Sequence, residues 1–185
     1  MIANVGLFTL MIVATATDVW RQKIYNWTTY TGISIAFVLA GLATMLNQPM
    51  FAEIGISSSL LGFVSCGAIM LICFVLFQIG GGDVKLLAMA GAFLGVEAGI
   101  EALLWTFVLG GATALIILIW RIGFLKLVKR VIHQLMVRMG FGKWDPLSES
   151  EQKQMQLPLY LAPSALLGVA IVKFAIVERI ASLGN

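Results

Sequence analysis

Hydrophobic residues run in long stretches along the chain, and polar residues lie mostly in the gaps between them. A helix that crosses the roughly 30 Å hydrocarbon core of a bilayer needs about 20 mostly apolar residues. Six stretches approach this length, and they predict membrane-spanning helices at 1–17, 27–46, 56–77, 84–100, 102–120 and 157–177. The first and fourth of these are shorter than a usual span.

The longest polar segment, 121–156, is predicted to be a loop between the fifth and sixth spans. Within 121–140, basic side chains recur at roughly helical spacing, and apolar side chains fall largely on another face. This pattern is typical of a basic amphipathic helix that lies on a membrane surface and is held by anionic lipid. The sequence therefore predicts an all-α integral membrane protein, a bundle of about six spanning helices in a single domain, 1–185, with one helix at the cytoplasmic surface.

Composition agrees with this interpretation. Hydrophobic residues make up 60% of the 185 residues and charged residues 11%, whereas ordinary soluble domains have about 45–50% and 25%. A soluble fold of this size could not bury so much apolar surface, and a disordered chain needs the opposite composition. The net charge of +3 is too small to indicate a nucleic-acid partner.

Charge asymmetry predicts the orientation of the spans. Ten of the twelve Lys and Arg residues lie in the first, third and fifth connections or, for Lys85, at the edge of one, and basic loops face the cytoplasm. Both termini are then outside. The first apolar stretch has no Lys or Arg before it, so it is interpreted as a retained span and not as a signal peptide.

Small residues recur every fourth position in the third and fourth spans, where they would allow helices to approach closely. They are Ser58 and Gly62, and Gly91, Gly95 and Gly99. The two cysteines, Cys66 and Cys73, are expected to pack as apolar residues without a disulfide.

Two aspartates stand out among the nine acidic residues. Asp18 ends the first span, and Asp83 follows the glycines Gly80, Gly81 and Gly82. Taken alone, Asp18 is a polar residue that closes a span, and Asp83 is the N-cap of the fourth span. Both are predicted at the cytoplasmic boundary, where a helix bundle could bring them together, and the glycines would leave room for a second polypeptide.

Two adjacent carboxyl groups do not both ionise easily, so one keeps its proton. The ionised group can take a proton from water, and the protonated group can polarise a carbonyl and later protonate the leaving amine. The chain contains no His-Glu-x-x-His, Gly-x-Ser-x-Gly or phosphate-loop motif, so zinc, serine and nucleotide chemistry are not indicated. No metal or cofactor is expected. The one histidine, His133, is interpreted as a surface residue.

The stretch 80–86, Gly-Gly-Gly-Asp-Val-Lys-Leu, resembles the Gly-x-Gly-Asp signature of the type IV prepilin peptidases. The stretch 18–26, Asp-Val-Trp-Arg-Gln-Lys-Ile-Tyr-Asn, is similar to their first catalytic segment. The distance between the two segments and the six-span layout fit this family as well. The resemblance implies an aspartic endopeptidase of the bacterial inner membrane that removes the leader of prepilin-like subunits at the cytoplasmic boundary.

The resemblance also assigns roles to residues. Asp18 and Asp83 would be the catalytic pair, the three motif glycines would surround them, and Ile24, Asn26 and Lys85 would support the site. The long cytoplasmic insert with Cys-x-x-Cys motifs found in bifunctional members is missing here. The chain therefore resembles the short, peptidase-only type of tight-adherence (Flp) pilus systems, and no methyltransferase activity is expected.

Two positions depart from the family pattern. Tyr25 stands where the family usually has proline, and the last span reads Leu-Pro-Leu-Tyr-Leu-Ala-Pro at 157–163 where Pro-Tyr-Gly is common. No catalytic role is carried over to that span.

The sequence leaves other functions open. A transporter or proton relay would use the acids as ion sites, although transporters usually place such acids near mid-bilayer in matching repeats. A pilus-assembly scaffold without activity is a second possibility. A third is an intramembrane Gly-x-Gly-Asp protease of the presenilin or signal-peptide-peptidase type, which pairs the motif with a Tyr-Asp where this chain has Thr17-Asp18.

Overall fold

The computed structural model describes residues 2–48, 50–77, 79–122 and 161–174. These residues form α-helices and no strand. The helices are α1 (Ile2–Arg21), α2 (Asn26–Leu46), α3 (Ile56–Phe77), α4 (Gly81–Leu94), α5 (Val96–Ile122) and α6 (Leu161–Lys173). The all-α prediction is confirmed.

Two compact units are distinguished along the chain. The first comprises Met1–Gly110 and Tyr160–Asn185, and the second is Gly111–Leu159, of which the structure describes the helical residues 111–122. The amphipathic surface helix proposed within 121–140 lies almost entirely outside the described residues. That helix and the single-domain assignment therefore stay predictions.

Four of the described helices are long and apolar enough to cross a membrane: α1, α2, α3 and the Val96–Trp120 portion of α5. Their outer surfaces carry large apolar side chains that a soluble protein would bury. Val75 and Leu61, for example, are 72% and 60% exposed. Lipid tails are the solvent that such surfaces require, so the chain is a multi-pass membrane protein.

The first helix is longer than the sequence indicated. The span predicted at 1–17 continues as α1 to Arg21, because Val19 and Trp20 contain nothing that breaks a helix. The helix ends at Arg21, and the next residue, Gln22, has a φ of 53° and donates its backbone N–H to the Asp18 carbonyl at 2.8 Å. Asp18 therefore lies inside the last turn of α1 and does not follow it.

The predicted boundary between the fourth and fifth spans, near residue 101, is wrong. The helix is interrupted at Gly95, where φ is +82°, and α5 begins at the next residue, Val96. A Cβ atom at Gly95 would also lie 2.8 Å from the Ser58 hydroxyl oxygen. Glycine is therefore needed at this position both for the backbone conformation and for the close contact.

The rows of small residues bring α3 and α4 together, as expected. A Cβ atom added to Gly62 would lie 2.2 Å from the Gly91 carbonyl oxygen. The Ser59 hydroxyl donates to the Ala92 carbonyl at 2.6 Å across the same interface. Cys66 is buried here, and both cysteines are free.

Helices α1 and α6 run antiparallel and are joined at one end by a polar cluster. Glu53, in the connection between α2 and α3, accepts hydrogen bonds from the Asn4 amide at 2.8 Å and from the Lys173 ammonium. These bonds lower the pKa of Glu53, with Lys173 as the largest cause. The cluster fixes the end of the bundle opposite to Asp18.

Candidate active site

Asp18 is buried in the last turn of α1, with 9% of its surface exposed. The backbone N–H of Ala162 donates to its Oδ2 atom at 3.4 Å. This N–H belongs to the first turn of α6, where backbone donors have no partner within the helix. One turn earlier on α1, the Thr15 hydroxyl donates to the Ala162 carbonyl at 3.3 Å. The start of α6 is thus held against α1 beside Asp18.

Asp83 is the third residue of α4, and Gly80 is the N-cap. The interpretation of Asp83 as the N-cap is therefore wrong. At the third position the carboxylate turns back toward the helix start, where it accepts a hydrogen bond from the backbone of Gly80, while the Asp83 N–H donates to the Gly80 carbonyl at 3.0 Å. Two donors at the helix start are satisfied reciprocally in this way.

The carboxyl group of Asp18 affects that of Asp83. The pKa of Asp83 is raised from 3.8 to about 7, chiefly because burial disfavours the ionised form, and also because the charge of Asp18 repels it. The Gly80 hydrogen bond acts in the opposite direction. The fold thus brings the two sequence-predicted aspartates, 65 positions apart, into one electrostatic environment in which Asp83 holds a proton near neutral pH.

The three residues expected to support the site contact the segment that carries Asp83. The Ile24 side chain lies 3.1 Å from where a Cβ atom of Gly82 would be. The Lys85 ammonium donates to the Asn26 side-chain oxygen at 2.9 Å. The same ammonium lies 5.0 Å from the centre of the Tyr30 ring, within the range of a cation–π interaction. The connection between α1 and α2 is thereby fastened to the start of α4.

The glycines open one edge of the site. Gly80 and Gly81 are exposed, and the Asp83 Oδ2 atom lies 3.0 Å from where a Cβ atom of Gly80 would be. Any side chain at Gly80 would therefore press on the carboxylate. Among the described residues, no group of three His, Cys, Asp or Glu side chains is arranged to hold a metal ion.

A profile of the type IV leader peptidase family matches residues 5–115, more than half of the chain. The chain belongs to the type IV leader peptidase family. No curated protein and no solved structure matches it. The resemblance inferred from the two aspartate segments is thus confirmed at the level of the family, and with it a membrane peptidase.

The match to the type IV leader peptidases includes α1 to α4 and most of α5, and so contains both aspartates, the motif glycines and the supporting residues. It ends before α6. The hydrogen bond from Ala162 to Asp18 is therefore contributed by a helix outside the matched range. Sequence reasoning missed this contact because a backbone donor leaves no trace in residue type.

Thr28 is a buried polar residue that sequence reasoning did not single out. It lies in the first turn of α2, is fully buried, and its hydroxyl has no hydrogen-bond partner within the described part of the chain. The only signal in the sequence is a threonine on the same helical face as Gly32, Ala36 and Ala40, which are all buried.

Proposed function

We propose that this leader peptidase is an aspartic endopeptidase that removes the leader peptide of prepilin-like subunits, with Asp18 and Asp83 as its catalytic pair. The single observation that carries the proposal is the coupling of the two carboxyl groups. Asp83 has a pKa of about 7, owing to burial and to the charge of Asp18. A pair with one proton between its members is the state that an aspartic peptidase requires at neutral pH.

In the proposed reaction, the ionised carboxylate takes a proton from a water molecule as the water oxygen attacks the peptide carbonyl carbon. The protonated carboxyl group donates a hydrogen bond to the carbonyl oxygen and its proton then passes to the amine as the C–N bond breaks. The pair titrates as a unit. The roles of base and acid are therefore assigned to the pair and not to Asp18 or Asp83 individually.

The substrate must reach the carboxylates as an extended segment, because a helix engages its own peptide carbonyls in hydrogen bonds. The exposed edge at Gly80 and Gly81 suits such a segment, because glycine itself adds no side chain beside Asp83. The basic connections support a cytoplasmic location for this end of the bundle. A leader on the cytoplasmic side of a membrane-anchored subunit would meet the site at this boundary.

The chain is proposed to act in the bacterial inner membrane, with both termini outside and the anionic inner leaflet in contact with its basic segments. The sequence contains no Cys-x-x-Cys insert, which favours the peptidase-only type that processes Flp-type prepilins. No methylation of the new N-terminus is expected.

The test is co-expression of the chain with a Flp-type prepilin and with Asp18→Asn or Asp83→Asn variants. Asparagine keeps the size of the side chain but cannot ionise. Each variant is expected to insert normally and to leave the leader uncleaved, as measured by the change in substrate mass. Glu53→Gln is the control. Glu53 contacts Asn4 at the end of α1 opposite to Asp18, and this variant should cleave. Leader removal by either aspartate variant would refute the proposed mechanism.

A further inference from the structure

Thr15 connects α1 with α6 beside Asp18. Its hydroxyl donates to the Ala162 carbonyl at 3.3 Å, and the Ala162 N–H donates to the Asp18 Oδ2 atom at 3.4 Å. Two other threonines of α1, Thr9 and Thr17, donate to carbonyls of their own helix at 2.7 and 2.9 Å, as threonines within helices commonly do. The Thr15 hydroxyl instead bonds to a neighbouring helix, at the residue whose N–H contacts Asp18.

The Ala162 N–H can fix the orientation of the Asp18 carboxylate. Rotation about the last bond of an Asp side chain has only a broad preference of its own, so a hydrogen bond to one oxygen atom decides where both oxygens lie. The Ala162 N–H belongs to the first turn of α6, where a donor has no acceptor within its own helix. Both Ala162 and Asp18 are buried, so water competes little for this bond.

The rest of α6 is held by contacts that do not involve Thr15. In the middle of the helix, a Cβ atom added to Gly168 would lie 2.7 Å from the Ala102 carbonyl oxygen of α5. At the end of the helix, the Lys173 ammonium donates to Glu53. These contacts fix α6 in the bundle, and the bond from Thr15 acts locally on its first turn.

We propose that Thr15 is a positioning residue for leader removal. Its hydroxyl fixes the first turn of α6 so that the Ala162 N–H holds the Asp18 carboxylate in its reactive orientation. This inference rests on the proposed function. Neither Thr15 nor Ala162 binds the leader or exchanges a proton in this scheme. Their effect passes through Asp18, so it belongs to kcat and not to KM.

The proposal makes α6 part of the catalytic unit. This helix lies outside the range matched by the family profile, which ends at residue 115. Its contribution is a backbone donor whose position is set by a side chain of α1, the helix that carries Asp18.

The experiment measures leader removal by purified protein in lipid nanodiscs, with a purified Flp-type prepilin. Thr15→Val keeps the shape of the side chain and removes the hydroxyl. We expect kcat to fall about tenfold, because a small displacement of a reacting group is costly, with KM nearly unchanged. The unfolding temperature should change little, because α6 keeps its contacts with α5 and Glu53.

Thr9→Val is the matched control, since it removes from the same helix a hydroxyl that bonds within α1. It should leave kcat at the wild-type value. Thr15→Ser and Thr15→Ala form a second pair, which differs only in the hydroxyl. Serine keeps a donor and should hold kcat within about threefold of wild type, whereas alanine should lose as much as valine.

An ester at position 162 tests the backbone donor directly. Lactic acid introduced in place of Ala162 by nonsense suppression keeps the methyl group and replaces the N–H with an oxygen atom. The ester should lower kcat at least as far as Thr15→Val does. Adding Thr15→Val to the ester should lower kcat little further, because both changes act on the same contact.

The outcomes separate the two proposals. An active wild-type chain with full kcat in Thr15→Val or in the ester, equal kcat in Thr15→Ser and Thr15→Ala, or an equal loss in Thr9→Val overturns the role of Thr15 alone. A wild-type chain that releases no leader, or an active Asp18→Asn variant, overturns the proposed function and the inference with it.

Discussion

Lys85 of α4 donates a hydrogen bond to Asn26 at the start of α2, 2.9 Å away and 59 positions apart in the chain. The two residues belong to the two segments that contain the aspartates. Asn26 lies eight positions after Asp18, and Lys85 lies two positions after Asp83. Their contact holds the α1–α2 connection against the start of α4.

We expect the loss of this contact to reduce catalysis by about fivefold to tenfold, because small displacements of reacting groups are costly. Asn26→Ala and Lys85→Met each remove the hydrogen bond, and leader removal should slow to a similar degree in both. If the bond is what matters, the double variant should be little worse than Lys85→Met alone. Losses that simply multiply in the double variant would show that the two residues act independently.

The cation–π contact of Lys85 provides a finer control. Tyr30→Phe keeps the ring under the ammonium and should retain activity, whereas Tyr30→Leu removes the ring face and should reduce activity about twofold. Equal activity in both variants would show that Lys85 acts through its hydrogen bond to Asn26 and not through the Tyr30 ring.

Gly80 and Gly81 differ in what an added methyl group would touch, and this predicts different losses of activity for alanine substitution at the two positions. A Cβ atom at Gly80 would lie 3.0 Å from the Asp83 Oδ2 atom, whereas at Gly81 the nearest atom is a Phe74 ring carbon at 3.9 Å. Gly80→Ala should displace the carboxylate and lower kcat about tenfold or more. Gly81→Ala should leave the carboxylate in place and lose clearly less activity than Gly80→Ala.

Both variants should unfold near the wild-type temperature, because neither glycine has a positive φ and both are exposed. Full activity in Gly80→Ala would contradict this prediction, because it would show that the Asp83 carboxylate can move away from an added methyl group without loss of catalysis.

The sequence predicted those features that depend on residue type. Long apolar stretches predicted the helices, basic connections predicted Asp18 and Asp83 at the same end, and small residues predicted close helix contacts in the third and fourth spans. It did not predict that Gly95 ends α4. A glycine in a row of small residues has the same spacing whether it packs against another helix or caps the end of its own. Nor did it predict the hydrogen bond from Ala162 to Asp18, because the donor is a backbone N–H, which every residue except proline has.

The raised pKa of Asp83 predicts how stability depends on pH. In the unfolded chain this carboxyl group ionises near 3.8, and in the fold near 7. Between these values the folded state binds more protons than the unfolded state, so its stability falls as pH rises from about 4 to about 7 and then levels off. Asp83→Asn removes this penalty. Its unfolding temperature should match wild type near pH 4 and exceed it at pH 8.

The same pKa predicts the alkaline limit of activity. Leader removal by the wild-type chain should decline with a midpoint near pH 7, because a pair that has lost both protons cannot protonate the leaving amine. Activity that stays constant to pH 9 would show that no group with this pKa takes part. In Asp18→Asn, one of the two causes of the shift is absent, so the pH dependence of unfolding should move to lower pH.

The contact between α3 and α4 is close enough for one methyl group to test it. A Cβ atom at Gly62 would lie 2.2 Å from the Gly91 carbonyl oxygen and 2.8 Å from the Gly95 Cα atom. These are backbone atoms that cannot rotate away. Gly62→Ala should therefore destabilise the fold by about 1–3 kcal/mol through overpacking, seen as a lower unfolding temperature. Activity should fall with it, because α4 carries Asp83.

Gly41→Ala is the matched control, since nothing lies within 4 Å of a Cβ atom there. In the interior of α2, alanine should instead stabilise the helix by about 0.5–1 kcal/mol, because glycine loses more backbone freedom on folding. The two substitutions add the same methyl group to spanning helices and are expected to change stability in opposite directions. Helix propensity favours alanine at both positions, so a similar loss of stability in both variants would show that the approach of α3 to α4 does not determine the effect at Gly62.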